Sequence, residues 1–395
     1  MRKFVVILLS LMLIQFFACA KASDTLKPGE TIKMGYIAPI TGDNAIYGLA
    51  SKAVQLAVDE FNEQGGIHGF KIELFIGDSQ GTANVGIPVA EELIKINKVL
   101  FLIGDSLSAV SLAIAPMADQ AKVIMISPGS TNKDLPNKGK FIFRTIMNDS
   151  TQAIVFAKYL ATVENVKTAS VLYVDNAYSK GLAMDFWGEF EKEGASVVAV
   201  EVVDPGTRDF KPQLRKIMEK KPEVLYLPNY TADIAAMIKQ AKEIGLKAKI
   251  YSTESFATHE IFNLAGDSAN GVIFTDMADV SESQAARAFY AKYQAKWGGP
   301  PEGLYGANAY DAANIILNAL KQRSSKSLSG ELNIDRDQLR DFIAVTKDYN
   351  GASGGITFTP NGDLVANIGI FIAENKEFRQ MKAYKLEGTN LVELK

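Results

Sequence analysis

Short apolar runs rich in β-branched residues alternate with stretches of helical period, and that alternation runs through this chain twice. Residues 32–39 read as a strand and 47–64 as a helix, with Leu49, Ala53, Leu56, Ala57 and Phe61 near one face. Gly65-Gly66-Ile67-His68-Gly69 ends that helix, its glycines supplying a left-handed exit. Residues 71–76 form the next strand, 84–97 a helix, 99–103 a strand, 109–120 a helix and 122–126 a strand. Strands that alternate with helices lie parallel, because each crossover helix carries the chain back to the same end of the sheet. The rhythm restarts beyond Arg144. Helices at 151–163, 180–193, 210–219 and 232–244 alternate with strands at 168–174, 196–202, 224–227 and 249–251. Long helices at 281–296 and 305–321 follow, then a polar loop at 322–329 and a strand-rich tail at 355–384 with an Asn361-Gly362 turn. The expectation is an α/β protein of two parallel-sheet halves with helices on both faces.

The first residues bear on where such a fold works. Met1-Arg2-Lys3 is a basic start, residues 4–17 are an apolar block, and Ala18-Cys19-Ala20-Lys21-Ala22 leads into a polar chain. This is the three-part pattern of a secretory signal peptide, and the apolar block is too short for a comfortable membrane span. Cleavage after Ala20 or Ala22 gives a soluble exported product, which is the expectation. Phe16-Phe17-Ala18-Cys19 also resembles a lipobox, in which Cys19 becomes acylated and tethers the protein to a membrane face.

Removing residues 1–22 leaves 373, long for one domain and comfortable for two. Losing Arg2, Lys3 and Lys21 takes the net charge from −3 to −6, and a mildly acidic chain without a basic block is a poor partner for nucleic acid. Cys19 is the only cysteine, so the exported chain has no disulfide although its compartment permits one. His68 and His259 are far apart and outside any ligand-spaced cluster, so neither a metal site nor a cofactor is expected.

Open α/β sheets place ligands at the carboxyl ends of their strands. In the first half those ends carry Tyr47, then Gly104-Asp105-Ser106-Leu107-Ser108, then Ser127-Pro128-Gly129-Ser130-Thr131-Asn132. In the second half Asn176-Ala177-Tyr178, Pro228-Asn229-Tyr230 and Thr253-Glu254-Ser255 hold the matching places. Hydroxyls, glycines, tyrosines and one carboxylate suit the holding of a small polar ligand.

Taken in order, these phrases resemble the leucine/isoleucine/valine-binding proteins, periplasmic receptors that feed ABC importers of branched-chain amino acids. The resemblance is carried by Met34-Gly35-Tyr36-Ile37-Ala38-Pro39-Ile40-Thr41-Gly42, by Phe61-Asn62-Glu63-Gln64-Gly65-Gly66-Ile67-His68-Gly69 and by Met125-Ile126-Ser127-Pro128-Gly129-Ser130-Thr131-Asn132. Ala235-Ala236-Met237-Ile238-Lys239-Gln240-Ala241-Lys242-Glu243-Ile244-Gly245-Leu246 and Tyr310-Asp311-Ala312-Ala313 add to it.

The resemblance implies two Rossmann-like lobes joined by a three-crossing hinge, residues 30–147 with 278–354 and residues 148–277 with 355–395. It implies a single-copy periplasmic protein that hands an amino acid to an ABC-type membrane permease. It places Ser108 and Thr131 on the ligand's carboxylate, the backbone of Gly129 and Ser130 with Glu254 on its ammonium, and Tyr47, Tyr178 and Tyr230 around its side chain. Anion capture at a helix start and a charge-assisted bond in a dry cleft are the physics this calls on. Two departures stand out: the first-lobe disulfide of well-studied members has no cysteines here, and Tyr305-Gly306-Ala307-Asn308 does not follow the family pattern.

Two other functions compete with this one. A ligand-sensing component of a signalling system shares the same cleft, but this chain carries no transmembrane helix or signalling domain. Gly104-Asp105-Ser106-Leu107 also spells the signature of a hydrolase family with a nucleophilic serine. That chemistry needs a base, usually from an Asp-x-x-His pair, yet Phe256 stands three before His259 and Gly65 three before His68.

Overall fold

The computed structural model describes residues 23–301 and 305–394. The first sheet consists of β1 (Ile32–Ala38), β2 (Ile72–Asp78), β3 (Phe101–Gly104), β4 (Ile124–Ser127) and β5 (Ile142–Arg144). Its order is β2-β1-β3-β4-β5 and every pairing is parallel. Strands β1, β3 and β4 are buried on both faces, which is why they read as continuous apolar runs. Helices α1 (Ser51–Glu63), α2 (Ala83–Glu91) and α3 (Ser108–Gln120) carry the crossovers. β5 is three residues long at the sheet edge and has no periodic signal of its own.

The span expected as one helix over 47–64 divides into a 3-10 turn, Ala45–Ala50, and α1. Gly48 lies so close to the end of β1 that a Cβ there would sit 2.4 Å from the Pro39 carbonyl oxygen. The chain must therefore coil tightly before α1 begins, and this turn directs Tyr47 inward, where it is only 2 % exposed.

The second sheet starts with five parallel strands: β6 (Thr168–Val174), β7 (Ser196–Val203), β8 (Val224–Leu227), β9 (Lys249–Ser252) and β10 (Ile273–Met277). Between them run α4 (Asp149–Lys158), which precedes β6, then α5 (Ala177–Lys192), α6 (Lys211–Lys220), α7 (Thr231–Glu243) and α8 (Glu260–Ala265). Both α2 and α4 end in π-type turns, Glu92–Ile96 and Tyr159–Val163, inside the spans expected as helix.

Three more strands, β11 (Ile368–Glu374), β12 (Glu377–Glu387) and β13 (Asn390–Glu393), join the second sheet antiparallel. The full order is β13-β12-β11-β10-β9-β8-β6-β7. The expected parallel pattern thus holds for the strand–helix repeat and gives way in the tail. The cause is the link: Asn375 and Lys376, with φ of 55° and 64°, make a two-residue turn that can join only antiparallel neighbours.

The chain passes between the sheets three times: after β5, after β10, and between Ile356 and β11. After the second passage α9 (Gln284–Trp297) and α10 (Tyr305–Arg323) pack on α1, and α10 also reaches β3 and β4. A small sheet of Ser23–Leu26, Leu332–Asp335 and Ser325–Lys326 and the helix α11 (Arg336–Ala344) complete that side. Among the described residues no helix is long and apolar enough to cross a membrane. The leader, with Cys19 and the Ala20 and Ala22 cleavage points, lies outside the described residues.

Candidate functional site

The carboxyl ends of both sheets face one another, and the loops that leave them carry every residue singled out from the sequence. On the first side the loops after β3 and β4 are tied together. The Asp105 carbonyl accepts from the hydroxyls of Ser111 (2.8 Å), Ser127 (2.6 Å) and Ser130 (3.0 Å). Gly129 packs against Ser106 so closely that a Cβ would lie 2.9 Å from the serine's own Cβ, so only glycine fits. Ser108 opens α3, and its hydroxyl accepts from the Asn132 amide at 3.3 Å.

Two hydroxyls in this corner are buried and make no hydrogen bond among the described residues, Ser106 Oγ and Thr131 Oγ1. With the free end of α3 they form a donor-rich wall. Ser130 is tied into the loop as well. Its hydroxyl is spent on the loop, and its carbonyl already accepts from Arg144 Nη1 at 3.2 Å.

On the second side Asn176 caps α5 by accepting from the amides of Tyr178 (3.0 Å) and Ser179 (2.9 Å), which fixes Tyr178 at the helix start. Tyr230 stands just before α7, and Glu254 follows β9 in a short 3-10 turn. Glu254 is 3 % exposed. One of its oxygens accepts from Tyr178 Oη and the other from Gln152 Nε2, each at 2.7 Å. Burial raises the Glu254 pKa, and these two donors oppose the rise.

The tyrosines close the space between the walls. Tyr178 and Tyr230 stack with ring centres 4.7 Å apart, and Tyr47 meets Tyr230 edge-on at 5.7 Å. Tyr47 spans the cleft: its hydroxyl is 2.9 Å from Thr231 Oγ1 of the opposite half. Asn132 Nδ2 donates across it to the Ala177 carbonyl at 2.7 Å, and Lys133 pairs with Asp185 at 2.7 Å. Arg208 pairs with Asp43 at the rim, where both side chains are exposed and the contact contributes little.

Three contributors carry no mark in the sequence, and a fourth, Tyr305, falls in the stretch that departs from the family pattern. Asp149, at the first turn of α4, is fully buried, and neither of its oxygens makes a hydrogen bond among the described residues. Burial raises its pKa well above the usual value; the nearby Thr131 hydroxyl opposes this, the Glu254 charge adds to it, and Arg144 opposes it again. Gln152, one turn on, orients Glu254. Tyr305, the first residue of α10, joins the aromatic group edge-on to Tyr47 at 5.3 Å. Arg144, 0 % exposed, binds Asp363 at 2.5 Å and the Asn132 carbonyl at 2.8 Å, so it anchors the Thr131 loop to the third interlobe passage.

The arrangement has a polarity. Hydroxyls and helix-terminal amides line one side and the buried Glu254 the other, the buried Asp149 sits beside Thr131 with its amide donating to the Thr131 carbonyl at 2.8 Å, and aromatic rings fill the middle. An anion suits the first wall and a cation the second, while the rings offer apolar faces. The Ser106 hydroxyl makes no hydrogen bond among the described residues, and His259 packs against Phe262 and Phe378. Among the described residues no cluster of His, Cys, Asp and Glu could hold a metal ion.

A family model described as periplasmic binding protein matches residues 31–377. A Leu/Ile/Val-binding protein homolog 3 from Brucella melitensis is 29 % identical over 335 residues, 84 % of this chain and 88 % of that protein. The crystal structure of the leucine binding protein LivK from Thermotoga maritima superposes with a TM-score of 0.81 at 28 % identity, covering 90 % of this chain and 99 % of that one. That of LivJ from Streptococcus pneumoniae, a branched-chain amino acid transporter substrate binding protein in complex with isoleucine, gives 0.80 at 27 %, covering 92 % and 100 %.

Proposed function

The chain belongs to the periplasmic binding protein family, and on that premise we propose that it captures a free amino acid or a similar small carboxylate between its two lobes and delivers it to an ABC-type permease. The Leu/Ile/Val-binding relative and the isoleucine complex support this reading. The observation that carries it is the polarity of the cleft: hydroxyls and the start of α3 on one wall and the buried acid Glu254 on the other, with the buried Asp149 beside Thr131.

In this reading the ligand's carboxylate meets Ser108, Thr131 and the start of α3. Its ammonium meets Glu254 and Asp149, with the Gly129 and Ser130 carbonyls beside them, and Tyr47, Tyr178, Tyr230 and Tyr305 enclose its side chain. The moving bodies are residues 30–147 with 278–354 and residues 148–277 with 355–395. Because the two charges of one zwitterion are answered from different lobes, binding and closure are the same event, a hinge motion of two rigid bodies around their ligand. The protein binds without catalysis and acts as one copy, exported by the leader at residues 1–22.

The test is a thermal-shift panel of the twenty amino acids on the exported form. A ligand at about 100 times its dissociation constant adds about 2.7 kcal/mol of stability, a readily measured rise in melting temperature. A flat response to all twenty would remove the amino-acid reading.

A further inference from the structure

The parallel pairing of β9 with β10 matches Tyr251 with Ile273 and Ser252 with Phe274. β10, which carries Asp276, also packs against the 3-10 turn Glu254–Phe256 that follows β9. Asp276 is 3 % exposed. One oxygen accepts from the Met277 amide at 2.7 Å, and the other has no hydrogen-bond partner among the described residues. Burial, with the Glu254 charge adding, raises its pKa well above the usual carboxylate value.

Asp276 lines a cavity of about 300 Å³ beside the Glu254 turn. Phe274, Phe371, Phe378 and Tyr290 supply ring surface to it, and Asp279 and Glu377 stand on its walls. Among the described residues no lysine or arginine lines it, and its one basic side chain, His259, packs on Phe378. An aliphatic ligand would leave Asp276 without a counter-charge. A cation on a hydrocarbon stem would pair with the acid while aromatic faces cover the stem.

We propose that Asp276 selects for a second positive charge on the ligand, so that the cleft takes a basic α-amino acid whose side chain ends in an ammonium or guanidinium group. This rests on the amino-acid reading above and carries the ligand's side chain past the four tyrosines into the cavity that Asp276 lines.

Calorimetry on the exported form with L-lysine, L-ornithine, L-arginine and L-leucine tests it. At least one basic amino acid should bind tenfold or more tighter than leucine. Asp276→Asn, which keeps the shape and the bond from Met277, should weaken that ligand tenfold or more while changing leucine less than threefold. Leucine binding as tightly as every basic amino acid overturns the inference and leaves the amino-acid reading standing. So does an Asp276→Asn variant that weakens both classes by one factor. Binding of none of the four overturns the inference; if the other seventeen of the twenty also fail, the amino-acid reading falls with it. The wild-type ranking decides the matter even if the variant does not fold.

Discussion

Glu254→Ala should weaken ligand binding by about 3–5 kcal/mol, the cost of leaving one member of a buried charge pair alone. That is a loss of roughly 10²- to 10³-fold or more, since each 1.4 kcal/mol is tenfold. The expectation follows from how the acid is held. Tyr178 and Gln152 each donate to it at 2.7 Å, and it is buried. Asp149 remains as a second buried acid within reach of the Glu254 charge, so Glu254→Ala combined with Asp149→Asn should lose more than either alone. Circular dichroism of the ligand-free variant should match the parent, because Glu254 caps no helix and sits in no core cluster. Titration calorimetry reads the outcome; a dissociation constant within threefold of the parent would mean that the ammonium lies elsewhere.

The second large effect is on stability. Arg144→Met should destabilise the protein by about 3–5 kcal/mol, because it strips the partner from a buried ion pair. Arg144 is fully buried, with its guanidinium on Asp363 and on the carbonyls of Ser130 and Asn132. Asp363 keeps Asn148 Nδ2 at 2.8 Å but loses its counter-charge. With roughly 2–4 °C per kcal/mol for a chain of this order of size, the melting temperature should fall by about 6–20 °C. A drop under about 2 °C would show that the pair does not brace the hinge. Ligand affinity should fall as well, since the loop that carries Thr131 hangs from the same guanidinium.

The parts of this molecule that the sequence discloses are those where one local signal decides. The parallel strands are apolar runs bounded by turn residues, and β6 and β8 begin and end where their patterns do. The candidate positions are legible for a similar reason: Tyr47, Ser108, Thr131, Tyr178, Tyr230 and Glu254 stand out by place, on loops at the carboxyl ends of parallel strands where ligands are usually held.

What stays hidden needs two distant segments at once. Asp149 reads as an ordinary first-turn acid behind its Asn148 cap, and only the fold buries it beside Glu254. Arg144 looks like the end of a short strand until Asp363, 219 residues later, comes to meet it. Asp276 acquires meaning only because β10 packs against the turn that carries Glu254. The antiparallel tail depends on left-handed conformations at Asn375 and Lys376, and lysine gives no sign of adopting one.

The central claim is that one zwitterion is gripped from both lobes, carboxylate by the first and ammonium by the second. A crystal structure of the exported protein with its co-purified ligand retained tests it most directly. The account predicts a carboxylate within hydrogen-bonding reach of Ser108 and Thr131, and a positively charged nitrogen against Glu254 on the opposite lobe. A ligand seated wholly on one lobe, or with its charges turned the other way, would contradict it.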